Sequence, residues 1–499
     1  MNKKRVVIIG AGIAGLSAGC YLQMNGYDTQ IFEMGSNPGG LCTSWKMNGY
    51  TFDGCIHWLV GSGPSDSYHK FWRELGALKD KKIVDFDEFM RIESTTGKTF
   101  IVYTDADKLS SEMKRFAPHD TNLIDELIGA VKNFAAFNLP TNKAYELYNV
   151  FDGIKILFTM FPFFKLIKKW NIPIEDYAKR FLSPILREAI PLLWGIPNSS
   201  MVFLIMTLAW MHKKSAGYPI GGSLEFSKSI ERRYLDLGGR VSYNSKVVKI
   251  ITQDGKAAGI KLENGETHEA DIVISAADGH YTIFEMLEGK YVNKEILDIY
   301  ENMEIFPAII QVSLGVAHSF KDVPHSINFP LDELIKIDNR NAVRRMGIRI
   351  FNFDPTMAPE DKTSIVTFFP ADYEYWMKLK GESPQNYLQE KERIVKATIA
   401  ALEKRFKGIA SKVEIYDVAT PATYFRYTNN WRGSFEGWLP TTKTLLMRIK
   451  KTLPGLGNFY MIGQWVHPGG GVPTGAMTGR DITQIICKMD NKKFHTTIG

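Results

Sequence analysis

Residues 6–33 read VVIIGAGIAGLSAGCYLQMNGYDTQIFE, which predicts a strand, a glycine turn, a helix and a second strand. The apolar run at residues 6–9 is typical of a buried parallel strand. Gly10 permits a tight turn, Gly12 lets the backbone approach a phosphate, and Gly15 permits close packing of helix on strand. The spacing therefore predicts a dinucleotide whose pyrophosphate lies at the N-terminus of the helix.

The second strand of this stretch ends at an acidic residue. Residues 29–32 are followed by Glu33, whose carboxylate can accept hydrogen bonds from both hydroxyls of an adenosine ribose. The same charge would repel a 2′-phosphate, which favours FAD or NAD over NADP. A G-x-G-x-x-G pattern alone is often only a tight turn, so the prediction depends on the strand, the helix and Glu33 occurring in register.

The next stretch favours FAD over NAD. Residues 35–61 read GSNPGGLCTSWKMNGYTFDGCIHWLVG, with Gly39 and Gly40 just after the ribose acid. Flavin enzymes need a backbone crossing under the ribityl chain at this point, whereas nicotinamide dehydrogenases usually continue directly into another strand and helix. An ordinary loop is the alternative explanation of the glycine pair.

Two motifs carry a resemblance to a known family. The first has the pattern G-G-x-x-x-S/T followed by Y-x-F-D-x-G, at Gly39, Gly40, Ser44, Tyr50, Phe52, Asp53 and Gly54. The second is NFYMIGQWVHPGGGVPTGAMTG at residues 458–479, with Asn458, Gly463, His467, Pro468, Gly469, Gly471 and Gly479. They resemble the family of bacterial phytoene desaturases, carotenoid isomerases and retinol saturases, within the flavin amine oxidase-like superfamily. The chain departs from that family at Gln464, Trp465 and Val466, where small residues are usual.

The resemblance implies an FAD-dependent oxidoreductase with non-covalently bound FAD. Such an enzyme desaturates, saturates or isomerises carbon-carbon bonds of a lipophilic polyene or isoprenoid-like substrate by hydride exchange at flavin N5. Two alternatives remain open from the sequence. One is a flavin amine oxidase of similar fold, and the other is a prenyl-binding escort protein that has lost its flavin.

The predicted fold class is α/β, with a discontinuous Rossmann-like domain and a mixed-sheet α+β substrate domain. We expect the FAD-binding domain to comprise residues 1–70, 216–290 and 420–490, and the substrate domain residues 71–215 and 291–419. Residues 240–248 and 257–262 alternate as strands with a turn at Asp254 and Gly255, and residues 270–276 and 307–316 are further apolar strands.

The predicted cofactor-binding residues follow from the motifs and the resemblance. They are Gly10, Gly12, Ile13, Ala14, Gly15, Glu33, Gly39, Gly40, Leu41, Ser44, Val247, Gly463, Gly471 and Val472. Val247 is expected beside the adenine, and the glycines at 469–471 are expected to bring backbone amides towards the N1 and O2 edge of the flavin.

The candidate catalytic residues are His57, Trp58, Trp465 and His467. Either histidine has a pKa suited to proton donation, which saturation of a double bond requires beside the hydride. Each histidine is also compatible with a structural role, a reading we favour for His467. Trp465 is expected to line a substrate tunnel, with core packing as the alternative. We favour hydride delivery to an alkene, with His57 as the better candidate acid.

Composition narrows the possible partners. The chain has 499 residues, a net charge of +7 without an arginine-rich arm, and four cysteines in neither zinc nor C-x-x-C spacing. These features predict a cytoplasmic protein without a metal site and without a nucleic-acid partner. The electron donor or acceptor is not indicated by any motif.

Residues 154–173 read IKILFTMFPFFKLIKKWNIP and combine aromatic side chains with Lys155, Lys165, Lys168 and Lys169. This pattern predicts possible peripheral membrane association and a substrate entrance. The alternative is a pair of helices packed into the substrate domain, with the lysines in solvent.

Overall fold

The computed structural model describes residues 3–499, and its strands are distributed along the whole chain. In chain order they are β1 (Arg5–Ile9), β2 (Asp28–Phe32), β3 (Ser44–Met47), β4 (Tyr50–Asp53), β5 (Leu59–Val60), β6 (Ile83–Val84), β7 (Glu88–Glu93), β8 (Thr99–Tyr103), β9 (Ala216–Pro219), β10 (Arg240–Ser242), β11 (Val247–Gln253), β12 (Lys256–Leu262), β13 (Thr267–Glu269), β14 (Ile272–Ser275), β15 (Ile309–Val316), β16 (Ser326–Lys336), β17 (Ala342–Ile350), β18 (Thr363–Pro370), β19 (Val413–Ala419) and β20 (Phe459–Met461).

The helices cluster on the sheets and in the segment between β8 and β9. They are α1 (Ile13–Met24), α2 (His69–Glu74), α3 (Ala106–Phe116), α4 (Thr121–Ala135), α5 (Val150–Trp170), α6 (Ile174–Ala178), α7 (Pro184–Leu192), α8 (Met201–His212), α9 (Gly222–Asp236), α10 (Lys294–Asn302), α11 (Tyr373–Glu382), α12 (Pro384–Arg405), α13 (Pro421–Thr428) and α14 (Gly471–Met489). Within residues 3–499, no helix is both long and apolar enough to cross a membrane.

A parallel sheet unites the two ends of the chain. Its order is β10-β2-β1-β14-β20, so its strands come from three separate stretches of sequence. α1 and α14 pack closely together beside this sheet. A Cβ atom at Gly479 of α14 would lie 2.6 Å from the amide nitrogen of Ala18 in α1, so this contact requires a glycine. The arrangement is the predicted discontinuous Rossmann-like fold, while the domain boundaries stay a prediction.

The second large sheet has seven strands in the order β19-β15-β18-β17-β16-β7-β8. All its pairs are antiparallel except β16 with β7, which makes it the predicted mixed sheet. α11 and α12 cover one side and share a core with β15 to β18 around Trp376 and Ile394. Helices α3 to α8 form a separate apolar core with β7 and β8.

Two local predictions are wrong in part. Residues 240–248 are not one strand, because the chain leaves the parallel sheet after β10 and turns at Asn244, whose φ is 53°. There the amides of Asn244 and Ser245 donate to the carbonyls of Gly35 and Glu33, which bends the chain towards the segment that follows β2. Residues 154–173 contain one long helix, α5, rather than a helix pair.

Candidate functional site

The glycine turn has the geometry that the first motif predicts. Gly10 has φ +96°, and Gly12 precedes the first residue of α1. A Cβ atom at Gly15 would lie 2.0 Å from the carbonyl oxygen of Gly10, so Gly15 serves the packing of helix on strand. Ile13 and Ala14, the first residues of α1, line a cavity together with Gly10 and Gly12. Free amides at a helix N-terminus suit a pyrophosphate.

Glu33 lies at the wall of the same cavity and is 7% exposed. One carboxylate oxygen accepts from the amide of Ala11 and the other from the amide of Gly35, both at 2.7 Å. Burial raises the pKa of Glu33, and the hydrogen bonds from Gly35 and Ala11 oppose that shift. A carboxylate has about four acceptor positions, so each oxygen can still accept from a ribose hydroxyl.

The paired glycines cross directly beside the turn. The amide of Gly39 donates to the carbonyl of Ala11 at 2.8 Å, and Gly39 and Gly40 both have positive φ. A Cβ atom at Gly39 would lie 2.3 Å from the carbonyl oxygen of Cys42, so a side chain has no room there. Gly39, Gly40 and Leu41 line the cavity. Gly15 and Ser44 do not, since Gly15 is packed against the turn and Ser44 pairs with Asp53 between β3 and β4.

The C-terminal motif meets the N-terminal motif across the cavity. A Cβ atom at Gly463 would lie 3.4 Å from the Cβ of Ala14, and α14 begins at Gly471, the last of three consecutive glycines with positive φ values. Gly463, Gly471, Val472 and Val247 line the cavity. The two ends of the chain therefore form one continuous cradle around a dinucleotide-sized space.

The cavity is larger than a cofactor site alone. Its volume is about 1340 Å³, against roughly 300–1,000 Å³ for typical ligand pockets. Beyond the motifs its wall includes a group of large apolar and aromatic side chains, namely Trp58, Met160, Phe163, Trp194, Phe203 and Trp210. Phe203 joins the two parts, because a Cβ atom at Gly469 would lie 3.3 Å from its ring.

The four candidate catalytic residues all line this cavity. Burial, followed by the charges of Arg349 and His325, holds the pKa of His57 well below its usual range. His57 is therefore neutral at physiological pH, which makes it a poor proton donor. Its Nε2 has no hydrogen-bond partner among the described residues.

His467 and Trp465 are held by local contacts. His467 Nδ1 lies 2.9 Å from the carbonyl oxygen of Pro468, and burial lowers the pKa of His467. Trp465 is 3% exposed and packs edge-on against Trp438 at 5.1 Å between ring centroids, while the Trp438 indole donates to the carbonyl of Trp465. The contact of His467 fits the structural role favoured for it. Trp465 lines the cavity and packs against Trp438 behind the cavity wall.

The sequence analysis missed several ionisable residues of the wall, among them Arg349 and Glu436. Arg349, on β17, donates to the carbonyl of His57 at 2.7 Å, and burial lowers its pKa to about 10. Glu436, in the segment before the C-terminal motif, packs on Gly470 and Gly471. Arg349 lies in an ordinary strand pattern and offered no signal. Glu436 lies within GSFEGW, which likewise offered no signal.

Comparisons with known proteins agree over nearly the whole chain. The profile described as flavin containing amine oxidoreductase matches residues 13–487. A chloroplastic prolycopene isomerase of Daucus carota is 25% identical over 495 residues, covering 95% of this chain and 78% of the relative. A neurosporene-forming phytoene desaturase of Rhodobacter capsulatus is 25% identical over 504 residues, covering 97% and 94%.

Solved structures show the same fold at low sequence identity. An oxidoreductase from Methanosarcina mazei superposes with a TM-score of 0.62 at 18% identity, covering 96% of this chain and all of that one. Wild-type putrescine oxidase bound to putrescine gives a TM-score of 0.60 at 14% identity, covering 98% of this chain and 99% of that one.

Proposed function

Because this chain belongs to the flavin-containing amine oxidoreductase family, we propose that it exchanges a hydride with a carbon-carbon bond of a long lipophilic polyene or isoprenoid. The chain is an FAD-dependent oxidoreductase, as the sequence predicted. The predicted family and fold class are likewise confirmed. These relatives favour an FAD-dependent enzyme over the alternative of a flavin-free escort protein.

The shape of the cavity carries the proposal. One space runs from the glycine cradle to the aromatic chamber, and the wall of that chamber includes Phe164 of α5 and Leu446, which are 38% and 57% exposed. The apolar end of the cavity thus lies against the protein surface. A long hydrocarbon can lie with one end near the surface and an internal bond beside the cradle, which suits the substrates in the names of the relatives.

The protein contributes binding, orientation and exclusion of water. FAD, when bound through Glu33 and the glycine cradle, supplies the hydride exchange at N5. Phe203 and Trp58 present apolar surface to the substrate, and Arg349 fixes the backbone of His57. The neutral state of His57 argues against its role as the acid, although it still lines the cavity.

The test uses the polyenes that the relatives' names contain. FAD-loaded protein is reduced anaerobically with dithionite, mixed with prolycopene or phytoene, and followed by flavin absorbance and product chromatography. We expect reoxidation, or isomerisation without net reoxidation, with one polyene. In a parallel sample, oxidised protein mixed with phytoene tests for desaturation. Putrescine in place of the polyene tests the amine oxidase alternative, and flavin reduction by putrescine alone would contradict the proposal.

We further propose that α5 docks on an anionic membrane surface. One of its faces, with Ile156, Met160 and Phe163, lines the cavity. The opposite face is an exposed apolar stripe that consists of Val150, Phe151, Ile154, Leu157, Phe158 and Phe161, between 52% and 81% exposed. The stripe continues along the helix into Lys165 and Lys168, which are exposed. Such a stripe, ending in cations, is typical of a helix in a membrane interface.

A further inference from the structure

Glu436 is an acid in the wall of the cavity, beside the C-terminal glycine run. A Cβ atom at Gly471 would lie 3.1 Å from its Oε1, and one at Gly470 would lie 2.6 Å from its Cγ. Its side chain is partly buried, and its remaining exposed surface faces the cavity that it lines. The carboxyl group therefore lies where the cradle for the flavin end of the cofactor meets the substrate space.

This carboxyl group lacks a cationic partner among the described residues. Within residues 3–499, no lysine, arginine or histidine forms an ion pair with Glu436. The titratable neighbour is the Cys55 thiol, whose pKa is raised first by the neighbouring Cys42 thiol and then by burial, with Asp53 and Glu436 adding to the shift. Burial alone raises the pKa of Glu436 to about 8.

The N-terminus of α14 faces the same group. Its dipole favours a carboxylate at this position, yet no amide of α14 within the described part of the chain donates a hydrogen bond to Glu436. Desolvation without a compensating hydrogen bond is the condition under which an acid stays protonated at neutral pH. Of the other acids in the cavity wall, Glu33 accepts from two amides and Asp278 from the amides of Tyr281 and Trp431. Burial nevertheless raises the pKa of Asp278 to about 7 against those hydrogen bonds.

We propose that Glu436 is the acid-base residue that carries the proton accompanying hydride exchange. This inference rests on the proposed function. In the reducing direction, one alkene carbon receives a hydride with both electrons from reduced FAD, which is left oxidised. The O–H bond of Glu436 breaks, and the adjoining carbon forms a C–H bond with that proton. Solvent then reprotonates the carboxylate, and desaturation is the reverse sequence. The reductant in the assay is dithionite, which reduces FAD beforehand.

The first experiment needs no substrate. Infrared difference spectra of FAD-loaded wild type and Glu436→Gln are recorded at pH values from about 6 to about 10, a range that brackets the raised pKa of about 8. We expect a protonated carboxylic acid band that titrates near pH 8, is absent from Glu436→Gln and shifts when dithionite reduces the flavin. Asp481→Asn is the matched control, because burial raises the pKa of that cavity acid to about 6. A spectrum of Glu436→Gln identical to wild type would overturn the proposal.

The second experiment measures reoxidation of the reduced protein by whichever polyene reacts with wild type. Glu436→Gln should retain FAD and slow reoxidation by about 10²- to 10⁴-fold, while wild type should lose rate above pH 8 as the acid ionises. Wild-type rates in Glu436→Gln at pH 7 would remove Glu436 from proton transfer. If no polyene reacts with wild type, the proposed function fails, and the infrared band alone decides whether Glu436 is a protonated acid beside the flavin.

Discussion

Replacing Glu33 by alanine should lower both the affinity for FAD and the stability of the apoprotein, and the two losses can be measured separately. The carboxylate accepts from the buried amide of Ala11 and the partly buried amide of Gly35 at 2.7 Å each. Each amide left without a partner costs about 1–3 kcal/mol, so we expect the apoprotein to lose roughly 2–6 kcal/mol of unfolding free energy. Loss of two ribose hydrogen bonds, at about 1.5–3 kcal/mol each, should weaken FAD binding by about 10²- to 10⁴-fold.

Glu33→Gln is the informative partner of this variant. Its amide oxygen can still accept from one backbone amide, while its NH₂ group faces the other, so its stability should fall between those of wild type and Glu33→Ala. Urea denaturation of the apoproteins measures the stability loss, and quenching of flavin fluorescence on titration with FAD measures the affinity. Wild-type FAD affinity in both variants would refute the assignment of Glu33 to the ribose, whatever happens to stability.

Four further outcomes are expected. Gly12→Val should be poor in FAD, because its side chain enters the pyrophosphate path, and normal flavin content after purification would contradict this. His57→Phe should bind FAD and reoxidise with substrate at nearly the wild-type rate, since the lowered pKa of His57 favours the neutral imidazole, which donates a proton poorly. A rate loss of about 10²-fold or more in stopped-flow traces would restore His57 as the candidate acid. Phe158→Ser with Phe161→Ser should weaken sedimentation with anionic vesicles. Lys165→Gln with Lys168→Gln should also weaken it, by about 1 kcal/mol of binding free energy per lysine. The control Leu388→Ser on α12, at a residue that is 56% exposed in wild type, should leave sedimentation unchanged. Burial raises the pKa of Glu436 in the folded state to about 8 from 4.5, so its contribution to stability is full below pH 4.5 and is lost as the pH rises to 8. The unfolding free energy of wild type relative to Glu436→Gln, measured by thermal melts, should therefore fall by about 1.4 kcal/mol per pH unit in that window. The same pH dependence in both proteins would contradict the raised pKa.

The nucleotide half of the site was predictable from sequence because it depends on backbone geometry. Glycines at Gly10, Gly15 and Gly39 are required where φ is positive or where a Cβ atom would collide, and such requirements leave a fixed spacing in the chain. Glu33 follows its strand directly, so its position relative to the turn is set within one βαβ unit. Family, fold class and cofactor followed from these local patterns.

The substrate half was decided only by the tertiary structure. Arg349 and His57 are far apart in sequence, and their contact, which contributes to the low pKa of His57, exists because the end of β17 lies beside the segment between β4 and β5. Sequence showed that α5 is rich in aromatic residues, but which face lines the cavity and which is exposed depends on the helices packed around it. Glu436 is an ordinary acid in the sequence, and burial against the glycine run, which no local pattern encodes, is what raises its pKa.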